Sequence, residues 1–247
     1  MSPPQKTIIE NFGHAAATYD KAASMQARVA KDLIVLAIAS PSEPSSILDI
    51  GCGTGLVSLA GRKQWPHASL TGLDGSSQML NEAKRKLPEL VVVEADATTY
   101  ETTECYDLIL SSMMLHFLPY PAGVLKRWQQ WLKPNGKMYV TLLLEGSFQE
   151  WRDLCRAENQ PDGMWPFPKA EVFENVAHKL EHKTVTDTYD SANDLMRYLK
   201  GIGAVTPPEG HQRISTSGLR RMLRNAPVPF KITYEVLYIT MQSLGNV

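Results

Sequence analysis

Cysteine is scarce in this chain, and its three copies, Cys52, Cys105 and Cys155, fall at no paired or CxxC spacing. That excludes a disulfide framework and a cysteine-built zinc site as organising devices, so no metal is expected and the setting reads as reducing and cytoplasmic. Long apolar runs are also missing. The longest, Leu33 to Ala39 and Met138 to Leu144, fall well short of the ~18 residues that span a bilayer. The opening Met1-Ser2-Pro3-Pro4-Gln5-Lys6 contains no apolar signal-peptide core. Nor does one sign of charge dominate: 25 Lys and Arg stand against 26 Asp and Glu, for a net charge of -1. Without a global basic field, neither nucleic acid nor a membrane is the expected partner.

What is present is an ordinary globular composition, 43% hydrophobic and 21% charged, in 247 residues. That length suits one domain plus an elaboration, and a monomer is expected. From Ser46 to Leu144, apolar runs of strand length alternate with helix-period stretches, the rhythm of strand-helix units on a parallel sheet. The expected strands are Ser46 to Ile50, Ser69 to Asp74, Leu90 to Glu94, Tyr106 to Ser111 and Lys137 to Leu144, the last introduced by a turn at Lys133-Pro134-Asn135-Gly136. One helix starts behind Ser76 as N-cap and turns Met79, Leu80, Ala83 and Leu87 to the core; another carries Val124, Leu125, Trp128, Trp131 and Leu132. Thr7 to Ala39 reads as two helices broken around Phe12-Gly13-His14, placed to cover the mouth of the sheet. Gln149 to Glu158 reads as helical, and the Pro-rich aromatic stretch Pro161 to Pro168 as a loop. Phe230 to Met241 has the two-residue period of a strand returning to the sheet.

The chemistry concentrates at Ile47-Leu48-Asp49-Ile50-Gly51-Cys52-Gly53-Thr54-Gly55, where a buried strand ends in a glycine-rich turn that opens a helix. Bare backbone at a helix N-terminus lets a nucleotide press close. A dinucleotide fingerprint wants a third glycine where Leu56 stands, and a P-loop wants a Lys-Ser or Lys-Thr that is absent. Asp74 closes the second strand, where a carboxylate accepts hydrogen bonds from ribose hydroxyls. Asp96 follows the third strand, within reach of an adenine amino group, and Met79 offers the adenine a polarizable face. Each of these residues has a plain structural use, as turn, cap or core. Their joint placement at the carboxyl ends of successive strands favours a ligand.

On these residues the chain resembles the class I S-adenosylmethionine-dependent methyltransferases. The resemblance implies an α/β, Rossmann-like, doubly wound and mostly parallel seven-stranded sheet, with S-adenosyl-L-methionine as cofactor. It implies cofactor contacts from Tyr19, Gly51, Cys52, Gly53, Asp74, Gly75, Met79, Asp96, Ala97 and Ser111, with Cys52 an inert small residue and Ser111-Ser112-Met113 lining the methyl site. The flanks are more specific. Phe12-Gly13-His14-Ala15-Ala16-Ala17-Thr18-Tyr19-Asp20 with Gln26, Thr141 to Glu150, and Leu199-Lys200-Gly201-Ile202-Gly203-Ala204 are similar to the biotin-synthesis methyltransferases called BioC. That family esterifies the free carboxylate of malonyl-acyl carrier protein. The sequence departs from the family pattern at His14, at His116-Phe117 and at Gly163 to Phe167, which bears on the substrate pocket and leaves the glycine turn untouched.

The implied organisation is a single domain: a helical cover (1–45), a cofactor-binding core (46–147), a substrate-side insertion and lid between the fifth and sixth strands (148–205), and a C-terminal helix with the returning strand (206–247). A malonyl carboxylate is ionised near neutral pH, so no acid or base is nominated. Tyr19, His116, Arg197 and Lys200 are the pocket candidates, Arg197 being the better fork for a carboxylate. Between Asp194 and Asn225, six basic side chains face two acidic ones. Arg197, Lys200, Arg220, Arg221 and Arg224 are therefore the candidates to dock an acidic acyl carrier protein. Two alternatives stay open at this level, a methyltransferase of small carboxylates or quinones and a non-catalytic methyltransferase-like factor.

Overall fold

The computed structural model describes residues 3–39 and 43–244, leaving Met1 and Ser2 of the opening segment outside the described residues. Seven strands form one sheet: β1 (Ser46–Ile50), β2 (Ser69–Asp74), β3 (Val91–Glu94), β4 (Tyr106–Ser112), β5 (Leu132–Leu143), β6 (Lys179–Tyr189) and β7 (Phe230–Gln242). Their order is β3-β2-β1-β4-β5-β7-β6. β1 to β5 run parallel, and β7 lies antiparallel between β5 and β6. The central strands are apolar almost without interruption because helices cover both faces. Leu48, Ile50, Ile109, Met138 and Val140 are all fully buried. The strand order reverses between β1 and β4, and the crevice outside their carboxyl ends is where such sheets bind ligands.

Eight helices are described: α1 (Pro3–Ala22), α2 (Ser24–Ile38), α3 (Leu56–Gln64), α4 (Ser77–Lys86), α5 (Pro121–Gln129), α6 (Gln149–Ala157), α7 (Ala192–Gly201) and α8 (Thr216–Asn225). α4 starts where expected, with the Ser76 hydroxyl accepting from the Met79 amide and Met79, Leu80 and Ala83 buried. α5 is shorter than its apolar stripe suggests. Trp131 and Leu132 lie beyond it, because the Trp131 carbonyl accepts from Tyr106 N and Leu132 already pairs with Tyr106 in the sheet. The turn expected at Lys133 to Gly136 is a bulge inside β5, where the register with β4 shifts.

Two expectations need correction. The first helix does not break at Phe12-Gly13-His14. It runs unbroken to Ala22, and the chain bends at Ala23. Gly13 serves close approach instead: a Cβ there would meet the Ser76 hydroxyl at 2.8 Å and Gln78 Oε1 at 2.9 Å. The segment expected as a continuous insertion contains β6, an edge strand of mostly polar residues. The elaboration is therefore split, with α6 and the aromatic loop between β5 and β6, and α7 and α8 between β6 and β7. The run Leu199 to Ala204 belongs to the second part. His178 and His182 stand four apart, a ligand spacing on a helix, but here His178 lies just before the extended β6 and His182 within it, paired with Glu235.

Candidate active site

The glycine turn closes β1 with left-handed backbone at Gly51 (φ 68°) and Gly53 (φ 53°), conformations that a side chain strains. Gly51 N and Cys52 N both donate to the Leu73 carbonyl, pinning the turn to the end of β2. Asp74 takes its place from the same turn: one carboxylate oxygen accepts from Gly53 N and the other from Ser76 N, both at 2.9 Å. Burial pushes the Asp74 carboxyl above its ordinary range, and the amide donors pull the other way. Asp96 holds Thr98 N and Thr98 Oγ1 through one oxygen, while its Oδ2 is buried with no partner among the described residues. A buried carboxylate oxygen left open on a cavity wall asks for a donor from outside the chain.

Tyr19, Gly51, Gly53, Asp74, Gly75, Met79, Asp96 and Ala97 all line one cavity at the carboxyl ends of β1, β2 and β4. Two candidates do not. The Cys52 side chain turns toward β2, where a Cβ on Gly72 would lie 2.9 Å from its Sγ, and burial raises its thiol well above the ordinary value. Ser111 is fully buried, and strand alternation presents its neighbour Ser112 to the cavity instead. Gln5, Ile8, Ile9 and Phe12 of α1 complete the wall. Sequence patterning held no signal for them, because their stripe reads the same whether it packs on core or on ligand.

A second chamber, about 360 Å³, adjoins the first, and Ile8, Phe12, Tyr19, Met113 and Phe117 line both. Its walls come from α2, the aromatic loop, α7 and the stretch before α8, with Trp151, Trp165 and Phe167 among its apolar surfaces. The loop is held in shape: Trp151 Nε1 donates to the Asp162 carbonyl at 2.9 Å, and Glu145 N donates to the Pro168 carbonyl at 2.9 Å. His116 lies in this wall, 4% exposed, with Nδ1 accepting from Leu143 N at 3.3 Å. Burial lowers its imidazole to about 3, so it is neutral at physiological pH. Tyr19 stays a phenol, since burial and the carboxylates of Asp74 and Asp20 hold its ionisation far above the usual range.

Arg197 and Lys200 lie outside the chamber. α7 buries Leu195 and Tyr198, and that helical phase turns Arg197 and Lys200 outward, with Arg197 paired to Asp194. The carboxylate fork expected of Arg197 is not at the pocket. Arg220, Arg221 and Arg224 are exposed on α8, and Arg221 is bound to Glu158. The arginine that does line the chamber is Arg213, on the loop before α8.

Residues 47–136 match the family model for a methyltransferase domain. The chain is 29% identical to the malonyl-[acyl-carrier protein] O-methyltransferase of Magnetococcus marinus, covering 93% of this chain and 89% of the relative. It is 30% identical to the enzyme of that name from Xylella fastidiosa, over 92% of this chain and 84% of the relative. The chain belongs to the malonyl-[acyl-carrier protein] O-methyltransferase family. Among solved structures, a methyltransferase from Bacillus halodurans superposes with a TM-score of 0.59 at 15% identity, covering 85% of this chain and 98% of that one. The plantazolicin methyltransferase BpumL, solved with S-adenosylhomocysteine, gives a TM-score of 0.51 at 18% identity over 95% of this chain and 97% of its own. Both place the family's sheet in this chain at the level of fold. Among the described residues no cluster of His, Cys, Asp and Glu is spaced to hold a metal, and no helix is long and apolar enough to cross a membrane.

Proposed function

We propose that the protein transfers a methyl group from S-adenosyl-L-methionine to the free carboxylate of malonyl-acyl carrier protein, the methyl-ester step that opens biotin synthesis. The observation that carries this reading is the pair of adjoining cavities, one bearing the glycine turn with Asp74 and the open oxygen of Asp96, the other apolar and closed by family-specific flanks. When bound, the cofactor supplies an electrophilic methyl on a positively charged sulfur. Asp74 takes the ribose hydroxyls on lone pairs left by its two backbone donors, and Asp96 Oδ2 takes the adenine amino group. Met79 and Ala97 flank the base, Gly51 and Gly53 admit the methionine portion, and Tyr19 donates to its carboxylate.

The substrate carboxylate is already ionised, so one oxygen bonds to the methyl carbon as the carbon-sulfur bond breaks, and no proton moves. His116, neutral and tied to Leu143 N, is not the base of this reaction. What the protein contributes is alignment and dryness. In-line positioning is worth roughly 7 to 11 kcal/mol in well-oriented systems, and an apolar chamber under the cover helix removes the water that blunts a carboxylate. On this reading residues 1–45 act as cover, 46–147 as the cofactor unit, and 148–205 with the following loop and helix as the substrate side. The enzyme works as a cytoplasmic monomer, its macromolecular partner an acidic acyl carrier protein.

Incubating the protein with S-adenosyl-L-methionine and malonyl-acyl carrier protein is expected to yield a base-labile methyl ester. Cofactor binding without ester would overturn the reading, and equal turnover of malonyl-coenzyme A would move it to a small-molecule methyltransferase.

A further inference from the structure

His116 and Gln26 both line the substrate chamber, one from the turn after β4 and one from α2, and each is oriented by a bond that leaves a donor open. His116 Nδ1 accepts from the Leu143 amide, which fixes the proton of the neutral ring on Nε2. Gln26 Oε1 accepts from the Tyr198 hydroxyl at 3.1 Å, which turns its side-chain NH₂ away from that tyrosine. Neither His116 Nε2 nor Gln26 Nε2 has a partner of its own among the described residues. The Lys and Arg side chains offer no equivalent: Arg213 alone among them lines the chamber, and it sits exposed on the loop before α8.

We infer that the free carboxylate of the acyl substrate is held by two uncharged donors, the Nε2–H of His116 and the side-chain amide of Gln26, and not by a cation. This rests on the malonyl reading above and names what recognises the carboxylate within it. The chemistry favours neutral donors. A guanidinium pressed on both oxygens would bind the carboxylate tightly and by the same attraction draw electron density from the attacking atom. Amide and imidazole N–H groups orient one oxygen and leave the other nucleophilic. The depressed imidazole of His116 suits this role, because it stays a single donor over the whole physiological pH range. Arg213, at the exposed side, is left to the arm of the carrier.

The test compares binding of malonyl- and acetyl-acyl carrier protein to enzyme loaded with S-adenosylhomocysteine, since the two differ by the carboxylate alone. The unmodified protein is expected to prefer the malonyl form roughly tenfold or more, the scale of hydrogen bonds to a charged group. His116→Asn keeps an acceptor at the Nδ1 position for Leu143 N but removes the Nε2 donor, and should lose most of that preference. His116→Gln places a donor near the Nε2 position and should keep it. A purely structural role for His116 predicts the reverse order. Gln26→Leu should lose the preference without any change at His116, which keeps the test open if His116→Asn fails to fold. Arg213→Ala should weaken both carriers alike. Full preference retained in both His116→Asn and Gln26→Leu, or preference lost only in Arg213→Ala, would overturn the inference. An unmodified protein that binds both carriers equally would instead overturn the malonyl reading, and this inference with it.

Discussion

Asp20 on α1 bonds Lys86 Nζ on α4 at 2.6 Å, and its other oxygen accepts from the Thr54 hydroxyl at 2.5 Å. One carboxylate thus fastens the cover helix to the glycine turn and to the helix beside it. With Asp20 about two-fifths exposed, the pair contributes on the order of 1 kcal/mol to global stability. Asp20→Ala is expected to change the melting temperature little and to speed release of S-adenosylhomocysteine several-fold, read by stopped-flow fluorescence. An unchanged release rate would mean that the apolar contacts of α1 hold the cover without the latch.

Asp74→Asn keeps the size of the side chain but cannot accept on both sides from Gly53 N and Ser76 N. It also gives up the charged acceptor proposed for the ribose hydroxyls, and losing hydrogen bonds to a charged group costs roughly 1.5 to 3 kcal/mol, so cofactor affinity should fall about 10- to 100-fold. Calorimetric titration with S-adenosylhomocysteine gives the number directly.

Asp49, one position before the last residue of β1, is 1% exposed; Ser58 Oγ donates to one oxygen and the other has no partner among the described residues. Burial holds its carboxyl at about 7 against an ordinary 3.8. As pH rises from 4, the unfolded chain ionises this group while the folded protein resists until about 7. Its stabilising contribution is therefore complete below the unfolded value and lost as pH climbs through 7, by roughly 4 kcal/mol at most. Asp49→Asn cancels that dependence, so urea midpoints of the two proteins should separate progressively between about pH 4 and 7, in the variant's favour as pH rises, and keep a constant gap above that. Parallel curves would show that the folded and unfolded carboxyls titrate alike.

Arg220 and Arg224 are exposed on α8 with no ion pair among the described residues, whereas Arg197 and Arg221 are bound within the chain. Reversing the first two to Glu is expected to lower kcat/KM for malonyl-acyl carrier protein roughly tenfold or more at low salt, with the gap narrowing as salt screens the charges. Methylation of malonyl-coenzyme A, measured in parallel, should stay the same.

How far the sequence carries depends on whether a residue's role is local. β1, β2 and β4 were legible because each is short and centred on buried apolar residues, Ile47, Leu48 and Ile50 in β1, Leu70 and Leu73 in β2, and Leu108 to Leu110 in β4. The placement of Asp74 and Asp96 followed, since strand ends are a local property. β6 escaped because an edge strand needs no apolar face, and its lysines, threonines, Glu181 and Asp187 read as loop. Ser111 and Ser112 differ only in strand parity, which a one-residue uncertainty at the strand's start reverses. The position of Arg197 is hidden from the sequence for a related reason. Its charge was visible in the sequence, but the face α7 turns to the core is set by Leu195 and Tyr198 packing beneath it. Phe12 and Gln26 stood in the family-like flank, which marked them without giving them a role, while the part played by Ile8 and Ile9 depends on how α1 settles over the sheet, and nothing within that helix records it.

The cover helix contributes Ile8, Phe12 and Tyr19 to both cavities at once. The consequence is a coupling between the two cavities. An α1 that lifts to admit S-adenosyl-L-methionine would take a wall from the substrate chamber with it, so on the proposed reading the cofactor is expected to bind first and its spent form to leave last. Steady-state rates should accordingly follow an ordered bi-bi pattern, with S-adenosylhomocysteine competing against S-adenosylmethionine alone.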